Sequence, residues 1–302
     1  MCILGKNFGG LLQDKIYYLY YNLHMDISII IVNYNTEDLL KNCLNKVFEK
    51  TSGLDFEVIV VDNASSDNSC QMVKEIFPHT HLIESNENLG FGCGNNLGIK
   101  VAKGKYVFLL NSDCELKNNS IKILFDFMEN NPNCGASGGN LYDKNDNYNA
   151  ALGLQYPLSE WITTHSILKF IYYKKYKELR YYQQNFNRTK SCEVGFITGA
   201  DLMIKKTILD EVGSFNPQFF MYFEETELQW RIKKAGYKIF FVPESEIYHL
   251  EGGSPTPKKK LLMLQSEFLY FRLTQGFFAE IIVRIISAPK HLKLFIKSNF
   301  GL

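Results

Sequence analysis

Three short stretches carry side chains whose types and spacing could do chemistry. Asn111-Ser112-Asp113 closes an apolar run, Tyr106–Leu110, with one carboxylate and two polar groups. A carboxylate there can bind a hard divalent cation, which in turn binds the oxygens of a diphosphate. Glu224, Glu225 and Glu227 follow the aromatic run Phe219–Phe223 at the start of a helical pattern. Acids at a helix N-terminus are ordinarily favourable caps. Three so close together also repel one another, and such crowding raises a carboxylate towards the range of a general base. His249 precedes Glu251-Gly252-Gly253-Ser254. A lone histidine is more often structural than a ligand, but the glycines let a backbone approach a phosphate closely. Between these stretches, Phe196–Ile204 reads as a turn through Gly199 that feeds a strand.

These groups need a frame. Ile27–Val32 and Phe56–Val61 are continuous β-branched runs, as expected of strands buried on both faces. His81–Glu84, Tyr106–Leu110 and Cys134–Gly138 read as further strands, and Lys238–Val242 as a short late one. Thr36–Phe48, Ser69–Phe77, Gly94–Ala102 and Ile121–Asn130 read as intervening helices, the first with Leu39, Leu40, Cys43, Leu44 and Val47 on one stripe. Such alternation implies a parallel sheet covered on both faces, with ligands at the carboxyl ends of its strands. Four polar loops stand there: Asn33-Tyr34-Asn35, Asp62–Asp67, Asn86–Gly92 with Asn88 and Gly90, and Asn111-Ser112-Asp113. Any one of them reads as ordinary turn and cap chemistry. Four on one edge read as a binding crevice.

The 302 residues are 46% hydrophobic and 22% charged, enough for a substantial core. A net charge of +1 argues against nucleic-acid binding driven by bulk charge. The balance is uneven: residues 255–302 carry +6 and the rest −5. The seven cysteines are scattered without CxxC pairs, which speaks against a disulfide framework or a zinc site and fits a reducing compartment. No apolar run reaches the ~18 to 20 residues of a membrane span, and residues 1–24 lack the layout of a signal peptide. Residues 1–24 therefore read as an N-terminal extension, with Met25 an alternative start.

Taken together, DISIIIVNYN, FEVIVVDNASSDNS, ENLGFGCGNN, YVFLLNSD, ITGADLMIKK, FFMYFEETELQWR and IYHLEGGS resemble, in order and spacing, the family-2 inverting glycosyltransferases. The likeness is greatest to their rhamnosyltransferase-like branch and covers roughly Asp26 to Ser254. It implies a GT-A fold: a Rossmann-like, mixed, mostly parallel α/β sheet flanked by helices, here with a C-terminal helical tail. The resemblance makes Asp62 the contact to the nucleotide base or ribose, with Asn33 and Asn35 beneath the nucleotide. Asn88, Gly90, Asn111 and Ser112 complete the donor loops. Asp113 matches the last carboxylate of the family's metal site, for Mg²⁺ or Mn²⁺, and His249 a histidine that completes it. Asn111 stands where an acid is usual, leaving one fewer anionic ligand. Glu225 matches the catalytic base, usually Asp, and Glu224 remains the alternative.

The implied partners are a nucleotide-sugar donor, dTDP-rhamnose or a UDP-sugar, and a polysaccharide or lipid-linked acceptor. The implied setting is the cytoplasm, at the inner face of the cytoplasmic membrane. Residues 25–254 would form the transferase domain, with 150–190 as an acceptor-side insertion. In the basic tail, Phe278, Ile281, Ile282, Ile285 and Ile286 make an apolar helical stripe. It suits a membrane interface, a helix packed back on the body, or a homodimer contact. The aromatic and basic stretch Trp161–Tyr182 reads, on the rim of the site, either as a solvated helix with an aromatic core face or as a contact to acceptor or membrane. Two rival activities are a nucleotidyltransferase, whose Gly-rich basic loop after the first strand is missing, and a catalytically inactive nucleotide-sugar-binding module.

Overall fold

The computed structural model describes residues 25–149, 152–153, 155, 157–166, 168–172, 174, 177, 188–250 and 257–300. The extension 1–24, the Gly252-Gly253-Ser254 loop and Tyr173, Tyr176, Arg180, Tyr181 and Tyr182 of the rim segment lie outside them.

The chain runs β1 (Ile27–Asn33), α1 (Glu37–Lys50), β2 (Phe56–Asp62), α2 (Ser69–Ile76), β3 (His81–Glu84), α3 (Phe91–Val101), β4 (Tyr106–Asn111), β5 (Cys114–Leu116), α4 (Ser120–Asn130) and β6 (Cys134–Tyr142). It continues through β7 (Leu152–Gly153), α5 (Leu158–His165), β8 (Cys192–Glu193), β9 (Phe196–Ile197), β10 (Asp201–Lys205), α6 (Lys206–Val212), α7 (Glu224–Lys234) and β11 (Lys238–His249). Helices α8 (Pro257–Gln275) and α9 (Phe277–Phe300) form the tail.

The main sheet has the order β3-β2-β1-β4-β10-β6-β11-β5, with β8 also on β11. β1 is parallel to β2 and β4, and β6 is parallel to β11. The alternation of strands and helices predicts a parallel sheet. In fact β10, from the second half of the chain, inserts antiparallel between β4 and β6. The mixed, mostly parallel arrangement expected from the family resemblance is the one found.

Three elements extend by three or more residues beyond their sequence-based bounds. β6 continues to Tyr142 although Gly138-Gly139 interrupts its apolar run. A Cβ on Gly139 would lie 2.2 Å from Ser245 O, so the bare backbone is what lets β11 close against β6. β11 continues to His249 through a register shift between Phe241 and Glu246. That shift contains Pro243, which cannot donate to a regular ladder. α3 starts at Phe91, not Gly94, because Gly90 supplies a left-handed turn at φ +81.

Two apolar layers cover the sheet. One holds Ile29, Leu44, Phe108 and Leu124 beneath α1 and α4; the other holds Ile30, Leu109, Leu228 and Phe241 beneath α3, α6 and α7. A third cluster joins the tail to the body: Trp161 of α5, Phe219, Leu264, Phe268, Tyr270 and Phe271 of α8, and Val283 of α9. Full burial of such a side chain is worth about 1.5–3 kcal/mol, so α8 is a docked part of the fold.

Candidate active site

The carboxyl ends of β1, β2 and β4 arrive level: Asn33 is registered with Asp62, and Val32 with Asn111. Side chains then knit the loops. Asn33 Nδ2 donates to Asp62 Oδ2 at 3.0 Å and to Ser65 Oγ at 3.1 Å, and the Ser65 N–H donates to Asp62 Oδ1 at 2.8 Å. Asn35 sits at φ 54, in the left-handed region that asparagine tolerates, and its Oδ1 accepts the Ser66 N–H at 2.7 Å. Thr36 Oγ1 donates to Asn33 Oδ1 at 2.6 Å and lies 3.0 Å from Ser112 Oγ, joining the β1 and β4 loops. Asp62 and Asn33 are buried, so both shape the floor of the crevice.

Asn88 and Gly90 fasten a different part. Asn88 Oδ1 accepts from Asn63 Nδ2 at 3.1 Å and from the Gly90 N–H at 3.0 Å. The Phe91 N–H donates to Phe220 O at 3.0 Å, and a Cβ on Gly90 would lie 2.0 Å from that oxygen. Only glycine lets this loop close on the Phe219–Phe223 run. Asn88 and Gly90 therefore hold the approach to the acidic helix.

That approach is strained. Tyr222 and Phe223 both take positive φ, 72 and 66, at about 1–2 kcal/mol each for residues with a Cβ. Ser266 Oγ of α8 donates to Met221 O at 2.7 Å, and the Phe223 and Tyr270 rings stand 5.5 Å apart. The tail thus clamps the turn that aims Glu224 and Glu225 into a cleft of about 280 Å³. Asn111, Gly199, Ala200, Tyr222 and His249 share its lining with the two acids.

The acids differ. Desolvation pushes Glu225 from 4.5 up to about 7, against the lowering pull of the backbone amides at the helix start. Burial, then the neighbouring Glu225, pushes Glu224 well above the usual carboxylate range. Its Oε2 has no hydrogen-bond partner among the described residues. Near neutrality Glu224 carries its proton while Glu225 can release or accept one.

Asp113 and His249 meet across the cleft edge, with Oδ1 and Nε2 3.4 Å apart. Asn111 Nδ2 is also 3.4 Å from His249 Nε2. Backbone pairing sets this meeting: His249 is registered with Cys114, and the Leu250 N–H donates to Asp113 O at 2.9 Å. The ligating atoms of Asp113, Cys114 and His249 lie within 4.8 Å of one another. Cys114 is fully buried with Sγ on Ala200 O at 3.6 Å, and a thiol is a poor partner for a hard ion. The imidazole of His249 lines the cleft and the Asp113 carboxylate stands beside it, a pair that fits a hard divalent ion such as Mg²⁺ or Mn²⁺.

Two positioning residues escape a reading of the sequence. Gln229 of α7 pairs with Ile197 like an extra strand: its Oε1 accepts the Ile197 N–H at 2.8 Å and its Nε2 donates to Ile197 O at 2.7 Å. Arg231 binds buried Glu227 through two contacts of 2.9 Å and donates to the carbonyls of Val212, Gly213 and Ser214. The available signals are the i,i+4 spacings of Glu225 with Gln229 and of Glu227 with Arg231. Arg231→Ala leaves the Glu227 carboxylate buried without its partner. It is expected to destabilise the fold by about 3–5 kcal/mol, measured by urea unfolding.

Known proteins resemble this chain. The model of Glycosyl transferase family 2 matches residues 28–213. N-acetylglucosaminyl-diphospho-decaprenol L-rhamnosyltransferase of Mycobacterium tuberculosis is 26% identical over 218 residues, covering 64% of this chain and 66% of that protein. Low-salt glycan biosynthesis hexosyltransferase Agl10 of Haloferax volcanii is 28% identical, covering 71% and 64%. The alignments thus span just under two thirds of these relatives. Among solved structures, S. aureus TarS 1-349 superposes with a TM-score of 0.55 at 15% identity, covering 91% of this chain and 74% of that one. That likeness speaks for the shared GT-A fold alone.

Proposed function

The chain belongs to glycosyl transferase family 2, and from that footing we propose that it is an inverting hexosyltransferase acting on a nucleotide-diphosphate sugar. The observation that carries this reading is the cleft lined by both Glu225, raised to about 7, and His249, with Asp113 3.4 Å behind the histidine. An acceptor hydroxyl attacks C1 of the donor sugar and forms the new C1–O bond. The C1–O bond to the diphosphate breaks, and its electron pair leaves with the nucleoside diphosphate. Glu225 takes the hydroxyl proton. Attack opposite the leaving group inverts C1, with no covalent enzyme intermediate. Asp113 and His249 would hold the divalent ion, which offsets charge on the departing diphosphate. The Asn33, Asp62 and Ser65 network supports the nucleotide end, and Glu224, protonated, offers a hydrogen bond.

The rhamnosyltransferase relative favours dTDP-rhamnose as donor, with UDP-sugars next, and a lipid-linked or polysaccharide acceptor. An aromatic cavity of about 270 Å³ beside the helix start, walled by Trp161, Phe196, Phe223 and Tyr270 with Glu267, suits the C–H faces of an acceptor sugar. The cytoplasmic side of a membrane is the setting this acceptor class implies. No helix of the described residues is long and apolar enough to cross one.

A thermal-shift panel of nucleotide-sugars with Mg²⁺ or Mn²⁺ tests the reading. The cognate donor at ~100 times its Kd is expected to add about 2.7 kcal/mol of stability. A panel without any metal-dependent shift would overturn it.

A further inference from the structure

Helix α9 turns an apolar line away from the body. Phe278, Ile282, Ile285, Leu292 and Ile296, with Pro289 between, recur every three or four residues. At 100° per residue they form one narrow stripe. Phe278 is 79% exposed, Ile285 68% and Leu292 60%. The face turned inward holds Ala279, Glu280, Val283 and Ser287, all buried. The stripe read from sequence is therefore divided: Phe278, Ile282 and Ile285 face out, while Ile281 and Ile286 are half-buried. Small inward residues let α9 lie close on α8, and the bulky ones are left outside. A helix that served only the body would do the reverse.

The charges around this line have one sign. Lys293, Lys297 and Lys290 follow one another round one side of it and Arg284 lies on the other; all are exposed. The one acid of α9, Glu280, is buried and bound to Arg284 at 2.7 Å.

We propose that this face of α9 seats the protein on an anionic lipid surface. Its aliphatic and aromatic side chains enter the headgroup boundary, and Lys290, Lys293 and Lys297 reach the lipid phosphates. A second copy suits the face less well, because pairing two such seams sets lysine against lysine with no carboxylate to answer. The seat is continuous with the catalytic loop, since α9 packs on α8 and Ser266 of α8 holds Met221. The proposal extends the lipid-linked acceptor reading but stands on α9 alone, so vesicle binding and sugar transfer are measured separately.

Truncation before α8 would also remove the clamp on the catalytic turn, so the test uses point variants of the full chain. Co-sedimentation is measured with vesicles of phosphatidylcholine alone and with one third phosphatidylglycerol, at low and high salt. The parent is expected to bind the anionic vesicles only, and less at high salt. Replacing Lys290, Lys293 and Lys297 with Gln should lower binding on the order of a hundredfold at low salt. The Ile282→Glu, Ile285→Glu double variant should abolish it while the melting curve and donor-induced thermal shift stay unchanged. Unaltered vesicle binding by the double variant would overturn the proposal. So would a parent dimer in sedimentation velocity that the double variant turns into a monomer.

Discussion

Glu225→Gln is expected to abolish sugar transfer, a fall of about 10²–10⁴-fold, while donor binding persists. Gln keeps the shape and the hydrogen bonds of the side chain but cannot take a proton. Glu224→Gln should be far milder, because burial already holds Glu224 in the neutral form that Gln imitates. The pair of variants therefore assigns the base without altering the cleft. In the parent, transfer should rise with pH through about 7 as Glu225 loses its proton. Stability should move the other way. A carboxylate raised from 4.5 to about 7 on folding stabilises the fold while it holds its proton, and that contribution is lost as pH rises through 7. Glu225→Gln should therefore melt above the parent at pH 8, with the gap closing below about pH 4.5. Single-turnover assays and melting curves across pH check both. Full transfer activity in Glu225→Gln would remove it from the base role.

The parts of the site legible in the sequence are those built from continuous strands and the turns that end them. Ile27–Val32 and Phe56–Val61 announce β1 and β2, and their register alone brings Asn33 against Asp62. The strand-ending acid Asp113 and the crowded acids of α7 were legible because both break an apolar pattern with charge. What stayed hidden depended on long-range pairing. Nothing local in Asp201–Lys205 says that it slips antiparallel between β4 and β6. β6 looked short because its glycines, required for close approach to β11, interrupt the apolar pattern. Gln229 and Arg231 are two polar residues among several on α7, and their role shows only where they meet the backbone carbonyls of other segments. The tail is the instructive case. Periodicity correctly found a stripe, but a stripe does not say which way it faces. Close helix packing selected Ala279, Val283 and Ser287 for the inside.

Asp113→Ala is expected to cost transfer on the order of a thousandfold and to remove the metal-dependent part of diphosphate binding. The fold should survive, because Asp113 is held by its backbone: its carbonyl accepts from Leu250, and the Cys114–His249 pairing beside it uses no side chain. Among the described residues, the Asp113 carboxylate is the one carboxylate grouped with His249, since Asn111 stands where a second acid could be. His249→Gln should therefore be the milder change, leaving a charged ligand that water can complete. Asn111→Asp should act in the opposite direction and tighten metal-dependent binding, by adding a carboxylate beside His249. Titrating the parent and the three variants with nucleoside diphosphate, with and without Mn²⁺, separates these effects from catalysis. The order expected is Asn111→Asp tightest, then the parent, His249→Gln and Asp113→Ala. Without Mn²⁺, Asp113→Ala should bind at least as well as the parent, since a negative charge facing the diphosphate is gone. Equal Mn²⁺ dependence in Asp113→Ala and the parent would move the metal, and with it the leaving group, to another part of the cleft.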